Sequence, residues 1–173
     1  RVASGAGLPV GEIGELYTRS SSKMLGYWKL PEATASTMSS DGWIATGDVG
    51  YLDEDGYVYI YDRAKDMIIS GGENVYPAEV ESGIYGHPQV LEVAVIGVPD
   101  DKWGEAVKAV CVPKPGQTID TDSVIGWARE RLAGFKVPKT IDVIEALPRN
   151  ASGKILRREL RAPYWEGRER QVN

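Results

Sequence analysis

Residues 61–81 read YDRAKDMIISGGENVYPAEVE, and this stretch decides how the chain is organised. It contains an arginine between two acids, an apolar triplet, a Ser-Gly-Gly turn and a proline suited to the first turn of a helix. The residues before it are acidic and have β-type patterns, whereas those after it alternate between strand and helix patterns. We therefore interpret residues 63–66 as a joint between two domains, which can carry the glycine turn at residues 70–72 into a shared active site.

The composition is that of a folded globular protein. Of the 173 residues, 42% are hydrophobic and 26% are charged, which allows one domain or a domain plus part of another. No apolar run reaches the about 18 residues of a membrane helix, and no signal peptide is recognisable. The single cysteine, Cys111, lies in an apolar run, so we predict a buried structural thiol and a reducing, cytoplasmic setting.

Charge is distributed unevenly along the chain. Residues 1–62 contain nine acidic and four basic side chains, whereas residues 63–173 contain sixteen of each. The pattern lacks a basic face of the density that nucleic acid requires, so we do not expect a nucleic acid partner. A small polyanion bound by a few placed cations remains compatible with it.

The residue patterns predict an α+β fold. Predicted strands cover residues 11–19, 44–48, 49–52, 57–61, 67–69, 90–98, 106–113 and 139–146. Predicted helices cover a short segment from residue 31, residues 77–85 capped by Asn74, residues 121–132 capped by Thr121, and residues 155–161. The first part is expected to be the β-rich end of a large domain, with an antiparallel hairpin or barrel-like sheet. The second is expected to be a small α+β domain with a mixed sheet and flanking helices.

Two charged residues near the joint are candidates for ligand binding. Asp48 follows a glycine at a strand end and can accept two hydrogen bonds from a diol such as ribose, although a plain turn is the alternative. Arg63 offers a planar set of donors for phosphate or ribose oxygens. A surface salt bridge of Arg63 with Asp62 or Asp66 is the alternative, and it would contribute little stability.

Two loops are also candidates. Gly71 and Gly72 can bring bare backbone against a ligand or can form a simple tight turn. Lys154 follows Asn150-Ala151-Ser152-Gly153, a loop of small residues from which a long cationic side chain could reach an anionic reaction centre. A solvated surface lysine is the alternative for Lys154.

The sequence predicts no metal site built by the protein. The acidic turn at residues 53–56 lacks the further spaced ligands of an EF-hand loop, so a solvated hairpin tip is favoured over calcium binding. His87 is the single histidine, which rules out a histidine metal cluster and disfavours a Ser-His-Asp triad. We expect His87 to be a polar loop residue or a cation at a helix end.

Several motifs occur in a fixed order along nearly the whole chain. They are GEIGE (residues 11–15), GYW (26–28), PEAT (31–34), GWIATGD (42–48), DRAKD (62–66), SGGENVYPAEVE (70–81) and PRNASGK (148–154). In this order and spacing they resemble the adenylate-forming superfamily, specifically its fatty-acyl and aryl CoA ligases. The resemblance implies that residues 1–64 end the large N-terminal domain, whose remainder is missing, and that residues 65–173 form the mobile C-terminal domain. The absence of an initiator methionine among residues 1–5 also suggests a piece of a longer protein.

The resemblance implies a two-step reaction. A carboxylate attacks ATP to give an acyl-adenylate and pyrophosphate, and the CoA thiol then displaces AMP after the C-terminal domain rotates. By position, Asp48 would bind the ribose hydroxyls of ATP and Arg63 would bind ribose or phosphate oxygens. Lys65 would be the hinge, and Lys154 would contact the carboxylate and the α-phosphate in the adenylating state.

The same resemblance implies a CoA site. Gly71 and Gly72 would line the pantetheine tunnel in the thioester-forming state. Trp103, Phe135 and Lys139 resemble positions that hold the CoA nucleotide in aryl-CoA ligases. Val137 departs from that pattern, since some of those enzymes have an arginine there.

The expected protein is therefore an ATP-dependent acid–thiol ligase, inactive as this fragment alone. Its expected ligands are ATP, Mg²⁺ carried with ATP, coenzyme A and a carboxylic acid, with a fatty acid preferred. One alternative is an enzyme that loads its acyl-adenylate onto a carrier protein, and another is a non-catalytic domain that binds a nucleotide or a partner. We expect no transmembrane segment and a cytoplasmic location, with peripheral membrane association as an alternative. Acetylation of Lys154 would remove the charge that it supplies, so this lysine is also a candidate regulatory switch.

Overall fold

A computed structural model describes residues 7–168 of the chain. The chain divides into two compact units, Arg1–Ala64 and Lys65–Asn173. Short helices accompany sheets whose strands pair mainly antiparallel, so the predicted α+β class is confirmed. Residues 1–5, which contributed to the expectation of a longer parent protein, lie outside the described residues.

The first unit contains a three-stranded antiparallel sheet in the order β1-β2-β3. Its elements are β1 (Gly14–Thr18), α1 (Pro31–Thr37), β2 (Ile44–Leu52) and β3 (Val58–Arg63). The predicted end of a strand at Asp48 is wrong, because β2 continues through a bulge between Val49 and Gly50. A Cβ atom on Gly50 would lie 2.1 Å from the carbonyl oxygen of Tyr59, so only glycine permits this close approach of β2 and β3.

The acidic turn between β2 and β3 is organised by Asp53. Its Oδ1 atom accepts hydrogen bonds from the backbone N–H groups of Asp55 at 3.1 Å and Tyr57 at 2.8 Å. Its carbonyl oxygen accepts a third from the N–H of Gly56, which has a φ of 84°. The carboxylate of Asp53 is therefore engaged by the turn itself, as expected of a hairpin tip.

The second unit is built on a five-stranded mixed sheet in which the order β5-β4-β7-β6 is antiparallel and β8 runs parallel to β7. A short 3-10 helix, Ala64–Asp66, lies at the boundary of the two units. The other elements of this unit are β4 (Ile68–Ser70), β5 (Glu73–Val75), α2 (Pro77–Ile84), β6 (Val90–Asp100), β7 (Gly104–Pro113), α3 (Thr121–Arg129), β8 (Thr140–Val143), α4 (Arg157–Arg161) and a 3-10 turn (Ala162–Tyr164).

Both faces of this sheet are covered, which explains why β6 and β7 are nearly continuous apolar runs. One core layer joins Val95 of β6 to α2 and α3 through residues such as Val80 and Val124. The opposite layer joins Ile96 of β6 to the C-terminal segment, including Leu160. Alternate residues of β6 therefore pack into different core layers on opposite faces of the sheet. Cys111 is completely buried in the first layer, and burial raises the pKa of its thiol to about 12, so the predicted structural thiol is confirmed.

Three predictions about local structure are wrong. Asn74 does not cap α2, because it pairs with Ile69 in strand β5, which the sequence patterns missed. The N-cap residue of α3 is Asp120, whose carboxylate accepts hydrogen bonds from the N–H groups of Asp122 and Ser123, and Thr121 is the first helical residue. Helix α3 ends at Arg129 instead of residue 132, because the backbone tightens into a turn at residues 128–132. Within the described residues, no helix is long and apolar enough to cross a membrane.

Candidate functional site

Asp48 and Arg63 form the candidate site of the first unit. They are directly opposite each other in the β2–β3 ladder, and the Nε atom of Arg63 lies 2.8 Å from Oδ1 of Asp48. The Arg63 side chain is 49% exposed, so its remaining donors are accessible to a ligand. The predicted alternative partner Asp62 accepts a hydrogen bond from the backbone N–H of Arg63 instead. A carboxylate and a guanidinium thus lie side by side, as recognition of a ribose and a phosphate would require.

Gly71 and Trp103 form the first part of the candidate CoA site. The N–H of Gly71 donates to the carbonyl of Trp103 at 2.8 Å, and a Cβ atom on Gly71 would lie 2.7 Å from the indole ring. Gly71 and Gly72 have φ values of 62° and 86°, so both have backbone conformations that favour glycine. A Cβ atom on Gly72 would contact nothing within 4 Å, so open space adjoins this part of the turn.

Two lysines flank the exposed indole of Trp103. The Nζ atoms of Lys102 and Lys139 lie 4.7 Å and 5.9 Å from the ring centroid. The structure therefore places Lys139 near Trp103, two of the three residues for which the resemblance implied a CoA nucleotide site. Gly71, for which it implied the pantetheine tunnel, lies beside the same indole. Phe135 is 40% exposed, and the Nζ atom of Lys136 lies 5.5 Å from its ring centroid. Lys136 also forms an ion pair with Glu79.

A small cavity of about 260 Å³ lies beside this surface. Val137 lines it and is also buried in the core, with only 5% of its surface exposed. Arg129 of α3 and Lys139 line the same cavity. An arginine therefore lines this cavity although residue 137 is a valine, and the motif positions did not point to Arg129.

Lys154 lies in an exposed loop that is fastened by Asn150. The Oδ1 atom of Asn150 accepts hydrogen bonds from the Ser152 N–H, the Ser152 hydroxyl and the Lys154 N–H, at 3.0, 2.8 and 2.9 Å. The turn needs the φ of 83° at Gly153, and Arg149 bridges Ile155 across its base. The loop is therefore less flexible than its small residues suggested, and it presents the ammonium group of Lys154 to solvent.

The Lys154 loop and the glycine turn lie at opposite ends of strand β6. Arg149 fixes the lysine loop at one end, where its NH2 atom lies 2.6 Å from Oε1 of Glu92. At the other end, Asp100 pairs with Gly104, which also pairs with Ser70 beside the glycine turn. The eight-residue step from Glu92 to Asp100 in an extended strand corresponds to about 26 Å. One unit therefore holds two candidate sites that are far apart.

The sequence patterns missed an ionic cluster beside the proposed hinge. Asp66, only 7% exposed, accepts a hydrogen bond from NH1 of Arg161 at 2.9 Å. Arg157 binds both carboxylate oxygens of Glu81 through NH2 at 2.8 Å and lies 3.8 Å from Asp66. The carbonyl oxygen of Lys65 lies 3.5 Å from the guanidinium of Arg161. The repeat of arginines at positions 157 and 161 was visible, but their partners, more than 70 residues away, were not.

A second missed cluster connects β7, β8 and the C-terminal turn. Lys108 Nζ donates to Oδ1 of Asp142 at 2.6 Å, and the Tyr164 hydroxyl donates to Oδ2 of the same carboxylate. Burial opposes ionisation of Asp142, but these hydrogen bonds and the charge of Lys108 outweigh it and lower its pKa. The hydrogen bond to Asp142, together with burial, raises the pKa of Tyr164 to about 12. The ion pair and the hydrogen bond hold the C-terminal turn on the sheet.

His87 is not a cation at a helix end. It is buried, with 3% exposure, and burial together with the charges of Lys114 and Arg131 lowers its pKa. The N–H of Gln89 lies 3.3 Å from Nδ1, so Nδ1 must accept and Nε2 carries the proton that is donated to the Ser123 hydroxyl at 3.2 Å. His87 is thus a neutral structural residue. Among residues 7–168, no group of three or more His, Cys, Asp or Glu side chains is arranged to hold a metal ion.

Comparison with known proteins agrees with the resemblance stated from the motifs. Residues 79–154 match the AMP-binding enzyme C-terminal domain. A feruloyl-CoA synthase from Amycolatopsis sp is 54% identical over 161 residues, which are 93% of this chain and 33% of that protein. A fatty acid–[acyl-carrier-protein] ligase, ScoC, from Streptomyces coeruleorubidus is 50% identical over 175 residues, which cover 100% of this chain and 34% of that protein.

A solved structure is similar over the same region. The ATP-bound MatB of Rhodopseudomonas palustris is 45% identical, with a TM-score of 0.88, over 94% of this chain and 32% of that one. The apo structure of the same protein is 46% identical and gives a TM-score of 0.64 over 94% of this chain. The chain spans about a third of the length of the curated relatives that it matches.

Proposed function

We propose that this chain, a member of the adenylate-forming superfamily that carries its AMP-binding enzyme C-terminal domain, is the C-terminal portion of an ATP-dependent carboxylate–CoA ligase. The reaction would convert a carboxylate and ATP to an acyl-adenylate and pyrophosphate. The thiol of CoA would then attack the acyl carbon, form the thioester and release AMP.

The observation that carries this proposal is that Lys154 and Gly71 lie at opposite ends of β6, whose span from Glu92 to Asp100 is about 26 Å in an extended strand. A lysine and a glycine turn this far apart on one unit cannot both contact the same reacting atoms in one arrangement. A rotation of residues 65–173 about Lys65 would present one end of the sheet in each half-reaction. Movements of loops and domains that complete a catalytic arrangement are common in enzymes.

In the adenylating arrangement, Lys154 would act on the developing negative charge. Its ammonium group would lie between the attacking carboxylate and the α-phosphate, where it offsets their mutual repulsion. A unit charge about 4 Å from the phosphate is worth up to about 4 kcal/mol at an effective dielectric constant of 20. This corresponds to roughly a thousandfold in rate. The hydrogen bonds of Asn150 would hold the loop so that the lysine is already placed when ATP binds.

In the thioester-forming arrangement, Gly71 and Gly72 would line the path of the pantetheine arm. At Gly72 the missing side chain leaves open space for a thin chain, whereas at Gly71 the indole of Trp103 occupies the space where a Cβ atom would project. The exposed indole could stack on the adenine of CoA, with Lys102 and Lys139 beside it for the phosphates. We assign Arg129 to the same set, since it lines the adjacent cavity with Lys139.

In both arrangements, Asp48 and Arg63 would hold the nucleotide from the first unit. The second Oδ of Asp48 would accept hydrogen bonds from the ribose hydroxyls, and the remaining donors of Arg63 would bind ribose or phosphate oxygens. Magnesium would enter with ATP, since its preferred ligands are phosphate oxygens and water, and would neutralise phosphate charge.

A second candidate is transfer of the acyl group to a carrier protein. The relative that supports it is the fatty acid–[acyl-carrier-protein] ligase, which is 50% identical over the whole of this chain and 34% of its own length. The phosphopantetheine arm is common to CoA and to carrier proteins, so the glycine turn fits either acceptor. We favour CoA because Trp103, Lys102 and Lys139 form a cationic aromatic surface suited to a nucleotide. For the acid, we propose a fatty acid ahead of an aryl acid.

The experiment uses the protein from the complete reading frame that contains this chain. Carboxylate-dependent exchange of pyrophosphate into ATP is measured with fatty acids of increasing length and with ferulate, and acyl-CoA formation is followed by mass spectrometry. We expect exchange with at least one fatty acid and formation of its CoA thioester. Adenylate formation with transfer only to a phosphopantetheinylated carrier protein would favour the second candidate. Absence of carboxylate-dependent exchange with every acid would contradict both.

A further inference from the structure

Helix α4, which begins three residues after Lys154, cannot hold its position by its own helical hydrogen bonds. It contains only five residues, Arg157–Arg161, and isolated helices of this length are unstable in water. Its buried apolar contact is limited to the partly buried Leu160, which packs against the second core layer. Its position must therefore depend on other side-chain contacts.

Those contacts are supplied by two arginines on one helix face. Arg157 and Arg161 are four residues apart, so their side chains point the same way. Arg161 binds Asp66 at 2.9 Å, one residue after Lys65, and Arg157 binds both oxygens of Glu81 at 2.8 Å. The Oε1 atom of Glu81 also accepts a hydrogen bond from the N–H of Val95 in β6. We call Asp66, Glu81, Arg157 and Arg161 the arginine clamp.

The arginine clamp is mostly shielded from water. The exposed fractions of its side chains are 9% for Asp66, 17% for Glu81, 19% for Arg157 and 15% for Arg161. Two cations and two anions balance, so the cluster carries no formal net charge. Planar guanidinium groups that bind carboxylates in this way fix direction as well as distance.

The Lys154 loop is connected to the clamp by rigid contacts. The N–H of Leu156 donates to the carbonyl of Pro148 at 2.8 Å, and Ile155 bridges Arg149. Lys154 is three residues before Arg157. A short series of contacts therefore connects the proposed hinge at Lys65 to the proposed catalytic lysine. It runs from Asp66 to Arg161, through helix α4, and into the lysine loop.

We propose that Arg157 and Arg161 are positioning residues that fix Lys154 relative to the hinge, so that rotation about Lys65 delivers the lysine to one defined place. The proposal rests on the adenylation role of Lys154 given above. Neither arginine touches a substrate in this account. Loss of the clamp should impair the half-reaction that uses Lys154 and spare the one that uses the glycine turn.

Arg158 provides a matched control, since it lies on the same helix, carries the same charge and is exposed. The complete protein is compared with Arg161→Ala, Arg161→Lys and Arg158→Ala variants. A further variant, Asp66→Ala with Arg161→Ala, removes the buried carboxylate together with its partner in case Arg161→Ala alone does not fold. The readouts are kcat and KM for adenylation, the rate of acyl-CoA formation from supplied acyl-adenylate, and hydrogen exchange of the Lys154 and Leu156 amides.

For Arg161→Ala, we expect kcat for adenylation to fall about 30-fold or more, because a displacement of about 1 Å can cost about 100-fold. KM for ATP, and the rate of acyl-CoA formation from supplied acyl-adenylate, should each stay within about threefold of the wild-type value. A loss confined to kcat for adenylation would show that the interaction acts in the transition state of that step. The amides of Lys154 and Leu156 should exchange faster. Arg161→Lys, which keeps the charge but loses the planar fork, should recover part of kcat, and Arg158→Ala should match the wild type.

An equal fall in both half-reactions, or unchanged adenylation with faster amide exchange, would overturn the positioning role. If the wild type itself forms no adenylate, the proposed function fails and the clamp is judged by hydrogen exchange alone. Faster exchange at Lys154 and Leu156 in Arg161→Ala, but not in Arg158→Ala, would then still support a clamp on the loop. Equal exchange in both variants would overturn it.

Discussion

The side-chain oxygen of Asn150 accepts a hydrogen bond from the backbone N–H of Lys154 at 2.9 Å, while the N–H of Asn150 donates to the carbonyl of Lys154 at 3.0 Å. The two residues thus close a small ring in which residues 151–153 form the tip. The same Asn150 oxygen also accepts two bonds from Ser152. The Asn150 side chain therefore holds the backbone that carries the proposed catalytic lysine, in addition to the hydrogen bond from NH1 of Arg149 to the carbonyl of Gly153 at 2.7 Å.

Asn150→Ala should loosen the lysine loop and slow adenylation. The substitution removes three hydrogen bonds at an exposed site, and we expect kcat to fall about tenfold, which corresponds to about 1.4 kcal/mol in the barrier. Ser152→Ala is the control, because it removes one hydroxyl bond and leaves both backbone bonds to Asn150. Pyrophosphate release measured for the two variants gives the comparison. A loss as large in Ser152→Ala as in Asn150→Ala would show that the backbone bonds are not responsible.

Gly71→Ala should impair thioester formation more than Gly72→Ala. Both glycines have positive φ values, 62° and 86°, so alanine is strained at either position. The difference is steric: the new Cβ would lie 2.7 Å from the Trp103 ring at position 71 and would meet nothing within 4 Å at position 72. We expect the rate of thioester formation from supplied acyl-adenylate to fall about tenfold more in Gly71→Ala than in Gly72→Ala. This factor corresponds to about 1.4 kcal/mol in the barrier, which we attribute to displacement of the indole.

The double variant Gly71→Ala with Trp103→Ala isolates this contact. Removing the indole relieves the clash but also removes the proposed stacking surface. We therefore expect the double variant to recover the part of the stability loss that comes from the clash, but not the part that comes from the positive φ, while KM for CoA lies above the wild-type value. If KM for CoA returned to the wild-type value in the double variant, Trp103 would not be part of the CoA surface.

Asp48→Asn should change nucleotide binding much more than stability. The Asp48–Arg63 ion pair is partly exposed, with 25% and 49% of the two side chains accessible, and such pairs contribute about 0–1 kcal/mol. The loss of a charge-assisted hydrogen bond to ribose should cost about 1.5–3 kcal/mol, raising KM for ATP about tenfold to a hundredfold. Urea unfolding and ATP kinetics of the same variant test both parts. A melting or urea midpoint shift without a change in KM would assign the pair to the fold alone.

The pKa of His87 should lie below 6.5, and stability should depend on it. Burial, together with Lys114 and Arg131, disfavours the charged imidazole, although Asp120 acts in the opposite direction. Since the unfolded chain takes up a proton near pH 6.5, the unfolding free energy contributed by neutral His87 is fully present above that pH. It is lost as pH falls through the folded pKa. The single imidazole can be titrated directly by NMR, and a pKa at or above 6.5 would contradict the prediction.

His87→Gln is the corresponding variant for stability. In urea unfolding experiments, the free energy of unfolding of the wild type should be lower at pH 5 than at pH 7. The His87→Gln variant should lack this decrease. Asp142, whose pKa is lowered by its bonds to Lys108 and Tyr164 despite burial, becomes relevant only at lower pH. A pH dependence that survives His87→Gln in this window would have to arise from another group.

The sequence was sufficient for features that depend on local order. Strands β6 and β7, the glycine turn and the α+β class followed from apolar runs and turn residues, and Asp48 and Arg63 could be selected by residue type and motif. Their direct pairing could not, because the bulge between Val49 and Gly50 sets the register of the ladder. Strand β5 was missed because three residues are too few for an alternating pattern, and its pairing with β4 decides its conformation.

Ion pairs between residues far apart in the sequence were the other feature that could not be predicted. Arg161 and Asp66 are 95 residues apart, and Lys108 and Asp142 are 34 apart, so no local spacing links them. Each of these charged residues, considered alone in the sequence, would be predicted to be a solvent-exposed surface residue. Only the fold shows that Arg161 and Asp66 are shielded from water and that their cluster connects the proposed hinge with the segment that carries the proposed catalytic lysine.

The most direct test of the account is the effect of Lys154→Ala on the two half-reactions of the complete protein. Adenylation is measured as carboxylate-dependent pyrophosphate release, and thioester formation is measured from supplied acyl-adenylate and CoA. The account predicts that adenylation falls about a thousandfold, from the loss of about 4 kcal/mol at the α-phosphate, while thioester formation stays within about threefold. Lys154→Arg, which keeps a cation, should lie between. An equal loss of both half-reactions in Lys154→Ala would contradict the account.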